Sequence, residues 1–145
     1  GQPARRAHIV AVRHAVVAMG GAMRHWLLAA RDHLGTPHAS RRPLAEHLEA
    51  AAQWVLRAQA THGDDGVAHS YDVRAARWLA SYPETTGYLI PTLYDYAAHF
   101  DRPVYREAAR RMALWEMAVQ LPDGGVRAGT MAAPAPVPTV FNTGQ

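Results

Sequence analysis

The chain has 145 residues, 49% of them apolar and 19% charged, with no cysteine. That length can bury a core without crosslinks, which excludes a disulfide-stapled miniprotein, and no apolar run approaches the roughly 20 residues of a membrane-spanning helix, so no membrane partner is expected. The net charge of +3 hides an asymmetry: residues 1–42 carry seven arginines against the single acid Asp32, residues 43–145 eight arginines against eleven acids. The basic character therefore belongs to the N-terminal segment. Without stacking aromatics or a reading helix it reads as a solvated arginine face, and no nucleic-acid partner is expected. The absence of cysteine favours the cytoplasm slightly and fits the periplasm too.

From His8 to His33 the apolar spacing suits a helix interrupted near Gly20-Gly21, its Val-rich first half also compatible with a strand, and Gly35-Thr36-Pro37 through Pro43 reads as a linker. The expected division is a basic N-terminal segment, 1–42, and a domain over 43–145. A helix is predicted over 43–60, with Leu44, Leu48, Ala51, Ala52, Val55 and Leu56 on its apolar stripe and Pro43 in its first turn. Residues 88–98 are apolar almost all round, so an inner helix buried on more than one side is expected. Pro91 should either lie near its start or kink it. A third helix is expected over about 103–121, stopped by Pro122, with Val104, Ala108, Met112, Trp115 and Val119 on one face.

The chain matches itself. Glu46, Ala52, Trp54 and Gln59 pair with Glu107, Ala113, Trp115 and Gln120 at an offset of 61. Asp64, Gly66 and Val67 pair with Asp123, Gly125 and Val126 at 59, and Thr86-Gly87 with Thr143-Gly144 at 57. One unit is thus an outer helix ending in Trp-x4-Gln, an Asp-x-Gly-Val turn, a variable loop and an inner helix opened by Thr-Gly. The first repeat spans 43–102 and the second, truncated, 103–145. Such hairpins bury their inner faces only by stacking on neighbours, which predicts a solenoid or a closed ring. Trp54 and Trp115 are expected in the core between hairpins.

The Gln120-Leu121-Pro122-Asp123-Gly124-Gly125-Val126 turn, with its partner from Gln59 to Gly66, resembles the Gln-x-x-Asp-Gly-Gly turn of α/α toroids. These include terpene cyclases, prenyltransferase β subunits and six-hairpin glycosidase-like enzymes. Ser81-Tyr82-Pro83-Glu84-Thr85-Thr86-Gly87-Tyr88 is similar to segments of bacterial polysaccharide-related toroid proteins. The fold this implies is all-α, tandem helical hairpins forming an incomplete fragment of an α/α toroid. Val67 and Val126 stand where cyclases usually place Trp, and no Asp-x-Asp-Asp run is present.

In such a ring the loops before the inner helices face a shared funnel, which makes 63–88 the expected binding surface. Glu84 is the preferred catalytic candidate, because the positive end of the inner helix favours its ionised form; its alternative role is a first-turn cap. Tyr82 is a proton donor or packing residue, and Asp72 a second carboxylate of the kind glycoside hydrolysis uses. His69, Tyr71, Arg74, Trp78, Thr85 and Tyr88 are the candidate substrate-binding residues, aromatic faces for sugar rings with polar grips around them. Asp64 reads as structural, since Asp123 repeats it. The nine histidines form no His-x-x-x-His or His-Glu-x-x-His pattern, and there is no phosphate loop, nucleophile elbow or cysteine nucleophile. No metal or cofactor is expected. The expected function is recognition or processing of a carbohydrate polymer, by glycosidase-, lyase- or epimerase-like chemistry if enzymatic. The alternatives are a noncatalytic helical-repeat scaffold and an isoprenoid-processing toroid.

Overall fold

The computed structural model describes residue 23 and residues 25–34 and 42–144. The expected helix break at Gly20-Gly21 and the linker at 35–41 lie outside the described residues. The chain divides into two compact units, residues 1–41 with 71–77, and 42–70 with 78–145.

In the first unit, residues 25–33 form a helix, α1. The ring of His25 meets Tyr71 edge-on at 5.7 Å, and the Arg74 guanidinium lies 6.0 Å from the centre of the Trp26 ring. Residues 73–76 are the tip between two short strands, β1 (Tyr71–Asp72) and β2 (Arg77–Trp78). Asp72 Oδ1 shapes that tip by accepting the N–H groups of Arg74 (2.9 Å) and Ala75 (3.0 Å).

The second unit is mostly helical: α2 (Leu44–Ala60), α3 (Pro83–Phe100), α4 (Pro103–Ala118) and the single turn α5 (Val140–Thr143). Pro83 and Pro103 each occupy the first helical turn, where a missing N–H costs nothing. A tight reversal joins α3 to α4: Asp101 caps α3 in the left-handed conformation and donates its N–H to Ala97 O. Leu93, Ala97, Ala108, Ala109 and Met112 form the seam between these helices, with Ala52 and Ala58 of α2 beside them. The alanines let the backbones approach closely. No helix among the described residues is long and apolar enough to cross a membrane.

Four expectations need correction. Trp54, expected in the core with Trp115, is 46% exposed against 7%, its ring turned onto Trp78. On α2 only Ala52, Val55 and Leu56 of the predicted stripe turn inward; Leu44, Leu48 and Ala51 are exposed. The α3 helix starts at Pro83 and runs through Pro91, and it is buried on one side only, leaving Tyr88, Pro91, Thr92 and Asp95 exposed. The physical reason is that α4 covers one face of α3, while α5, the inner helix that follows, is a single turn. Finally, α4 ends at Ala118, four residues before Pro122, because Val119 leaves the helix on its own.

The repeat seen in the sequence recurs as hydrogen bonds. Gly66 N–H donates to Asp64 Oδ1 (3.1 Å), and Gly125 N–H to Asp123 Oδ1 (3.0 Å). Val67 N–H donates to Thr86 Oγ1 and Val126 N–H to Thr143 Oγ1, both at 2.9 Å. The two threonine hydroxyls donate in turn to Tyr82 O (2.9 Å) and Thr139 O (2.7 Å). His69 N–H donates to Ala80 O (3.0 Å), and Ala128 N–H to Val137 O (2.7 Å). The bridge Ala68 to Ser81 is matched by Arg127 to Pro138, within the antiparallel pair β3 (Val126–Arg127) and β4 (Pro138–Thr139). Even the backbone strain repeats, with Asp65 at φ 69° and Gly124 at φ 83°. In each repeat a turn held by Asp is thus clasped by a threonine to the start of the inner helix.

Candidate functional site

The clasp fixes what stands at the mouth of α3. Thr86 holds the first turn against Val67, so Tyr82 and Glu84 project from a backbone anchored on both sides. The Tyr82 phenol donates to Glu84 Oε2. That bond, then burial and the carboxylate's charge, raises the phenol above its ordinary pKa, while a hydrogen bond with Asn142 acts in the opposite direction. The exposed His69 ring lies 5.2 Å from the Tyr82 ring, and its Nδ1 is 3.0 Å from Ser70 Oγ. The second repeat reaches the same place. Asn142, buried, donates its amide to Arg127 O (2.8 Å), and the exposed ring of Phe141 meets the exposed ring of Tyr88 at 6.2 Å.

Of the predicted residues, Tyr82, Glu84 and His69 are brought together, with Tyr88 beside them across the mouth. Thr85 is half-buried in the first turn of α3. Trp78 is not offered to the mouth: its ring packs on Trp54 at 4.6 Å and against the edge of the core. Its predicted stacking role is corrected to packing. Tyr71, Asp72 and Arg74 belong to the first unit. There the Ala75 N–H, before any other group, holds the Asp72 carboxyl below its usual range. Asp64 accepts from Gly66 N–H and from Ser81 Oγ (3.0 Å), a turn-shaping arrangement.

The contribution of Asn142 is absent from the predicted set. It aligns with Thr85 at offset 57, so the repeat register itself carried the signal: the first turn of the next inner helix comes to the same mouth. A carboxylate bonded to a phenol can accept a hydroxyl proton or hydrogen bond, the phenol can donate to an ether oxygen, and the two exposed rings can stack on an apolar sugar face. Among the described residues, no three His, Asp or Glu side chains are grouped to hold a metal ion.

A second polar cluster lies at the other end of α3. Glu49 accepts from Tyr105 OH (2.6 Å), Tyr96 OH (2.7 Å) and Gln53 Nε2 (3.0 Å), which together hold its carboxyl down to about 2. These bonds tie α2 to both α3 and α4. Beside them is an open groove of about 450 Å³ lined by Arg42, Glu46, Phe100 and Arg102 among others. With its carboxylate fully engaged, Glu49 reads as a tie between helices.

Comparison with known proteins finds no match to a family model, to a curated protein or to a solved structure.

Proposed function

We propose that the chain is a module of an α/α toroid that recognises or processes a carbohydrate polymer, with the mouth of α3 in the cleft. The single observation behind this reading is the convergence of Tyr82, Glu84 and His69 from the first repeat with Asn142 and Phe141 from the second. Exposed rings flanking a carboxylate and a phenol suit a polyhydroxylated ligand, whose apolar ring faces need flat partners and whose hydroxyls need acceptors. The toroid reading is supported by the turn and clasp that recur at the starts of α3 and α5. In the enzymatic form Glu84 accepts a proton or hydroxyl hydrogen bond and Tyr82 is the donor.

The reading of a noncatalytic scaffold draws on a different observation: Tyr82 and Glu84 satisfy each other, as Ser81 and Asp64 do, so the mouth is stable with nothing bound. Titration of the chain with neutral and uronic oligosaccharides, followed calorimetrically and by product analysis, separates the two. Tyr88→Ala should weaken binding about tenfold or more. Glu84→Gln should abolish turnover and retain binding if the module is an enzyme, and change little if it is a scaffold. Absence of oligosaccharide binding overturns both carbohydrate readings.

A further inference from the structure

The repeat departs from itself at a buried position just after the Asp turn, and the departure is a charge. Arg127 stands where the first repeat has Ala68, at offset 59, and it is 8% exposed. Its Nη2 donates to Ala133 O at 2.7 Å, its Nε is buried without a hydrogen-bond partner, and no carboxylate of the described residues pairs with it. A buried guanidinium that relies on a carbonyl is a costly fastening, because water would serve its remaining donors better. The loop it fastens differs from its counterpart as well. Residues 69–80 carry their own strand pair, β1 with β2, whereas 128–137 are closed at the base by Ala128 N–H to Val137 O and have no ladder inside. Within this second loop Ala133 N–H donates to Thr130 O (3.0 Å), making a turn, and Met131 N–H crosses to the first repeat, donating to Ser81 O (2.8 Å) beside Tyr82. Gly129, next to the base, is left-handed at φ 72°, and Ala132 and residues 134–137 are exposed.

We propose that loop 128–137 is a strap from the second repeat to the first, and that Arg127 is its latch. Closed, the bond to Ala133 O fixes the turn from Thr130 to Ala133, which presents the Met131 N–H to Ser81 O. Open, the guanidinium regains water for its Nε, and the buried Ser81 loses the strap, freeing the rim of the α3 mouth next to Tyr82. The charge is what makes the strap reversible. The closed state leaves a donor of Arg127 unsatisfied and the open state satisfies it, so the two lie close in free energy, whereas an apolar side chain at this position would gain nothing from opening. The strap is made of contacts within the chain and is tested with no carbohydrate present, so it stands or falls apart from the carbohydrate reading.

Hydrogen exchange of the full chain, read amide by amide by NMR in buffer and in low urea, tests it. In the unaltered chain the Met131 N–H should exchange through a local opening, about tenfold or more faster than the buried Met112 N–H of α4, at a rate indifferent to low urea. Arg127→Met should speed Met131 exchange a further tenfold or so and leave Met112 as it was. Arg127→Lys, which keeps a cationic donor for Ala133 O, should restore most of the protection. Exchange of Met131 through global unfolding alone, with the same urea dependence as Met112, overturns the proposal whether or not either variant folds. So does an Arg127→Met chain in which Met131 is unchanged, one in which Met131 and Met112 speed up alike, or an Arg127→Lys chain no better protected than Arg127→Met.

Discussion

Trp115 of the second repeat lies over Gly66 of the first, its Cζ2 2.5 Å from the point where a Gly66 Cβ would stand. The contact is what makes glycine necessary here, because the backbone of Gly66 is not in the left-handed region and would otherwise accept any residue. The Trp115 ring is wedged in the interface between repeats and has no flexible end to swing aside.

Gly66→Ala should therefore destabilise the chain by about 1–3 kcal/mol, the range typical of forcing a methyl group into a packed site. Urea denaturation reads this as a lower midpoint at unchanged slope. Substituting Trp115→Leu in the same chain should recover much of the loss, since the smaller side chain leaves room for the added methyl. A Gly66→Ala chain as stable as the parent would mean that the ring is free to move.

The threonine clasps make a second, comparative prediction. Thr86 is fully buried and its hydroxyl both accepts from Val67 N–H and donates to Tyr82 O, whereas Thr143 makes the same two bonds from an exposed position. Thr86→Val keeps the shape and leaves the buried Val67 N–H unpaired, a loss of about 1–3 kcal/mol. Thr143→Val should cost under about 1 kcal/mol, because water can replace the hydroxyl there. Thermal or urea melts of the two variants, with Thr86→Ser restoring most of the stability, measure the difference.

Much of this architecture is legible in the sequence, for identifiable reasons. Helix α2 is readable because Pro43 and the apolar spacing agree. The Asp-x-Gly-Val turns are readable because Asp64 and Asp123 cap the N–H two residues on, and because Trp115 at Gly66 and Pro138 at Gly125 approach too closely for a side chain. Which edge of α2 turns inward is not readable. Leu44, Leu48 and Ala51 are as apolar as Ala52, Val55 and Leu56, and only the position of α4 decides between them. At the mouth of α3, spacing places Tyr82 beside Glu84, two residues on. The repeat register, not local spacing, points to Asn142, and neither gives a sign of Trp78 turning to Trp54, a contact distant in sequence.

Glu116 supplies the pH-dependent prediction. At offset 61 it occupies the place of Val55, a side chain packed against the core, and its Oε1 is buried without a hydrogen-bond partner. Burial pushes its carboxyl up from 4.5 to about 7. A carboxyl whose folded pKa lies above its unfolded one binds its proton more tightly in the folded chain. Its ionisation costs nothing below about 4.5, and the cost grows through the window up to about 7, where it is complete. Glu116→Gln removes that titration. Relative to the parent, the variant should gain stability as pH rises across this window, reaching on the order of 1 kcal/mol by pH 8, because solvent still reaches part of the side chain. Urea midpoints of both chains measured from pH 4 to pH 8 test the sign directly. A difference that stays flat with pH, or that shrinks as pH rises, would show that the carboxylate is stabilised by a group not seen around it here.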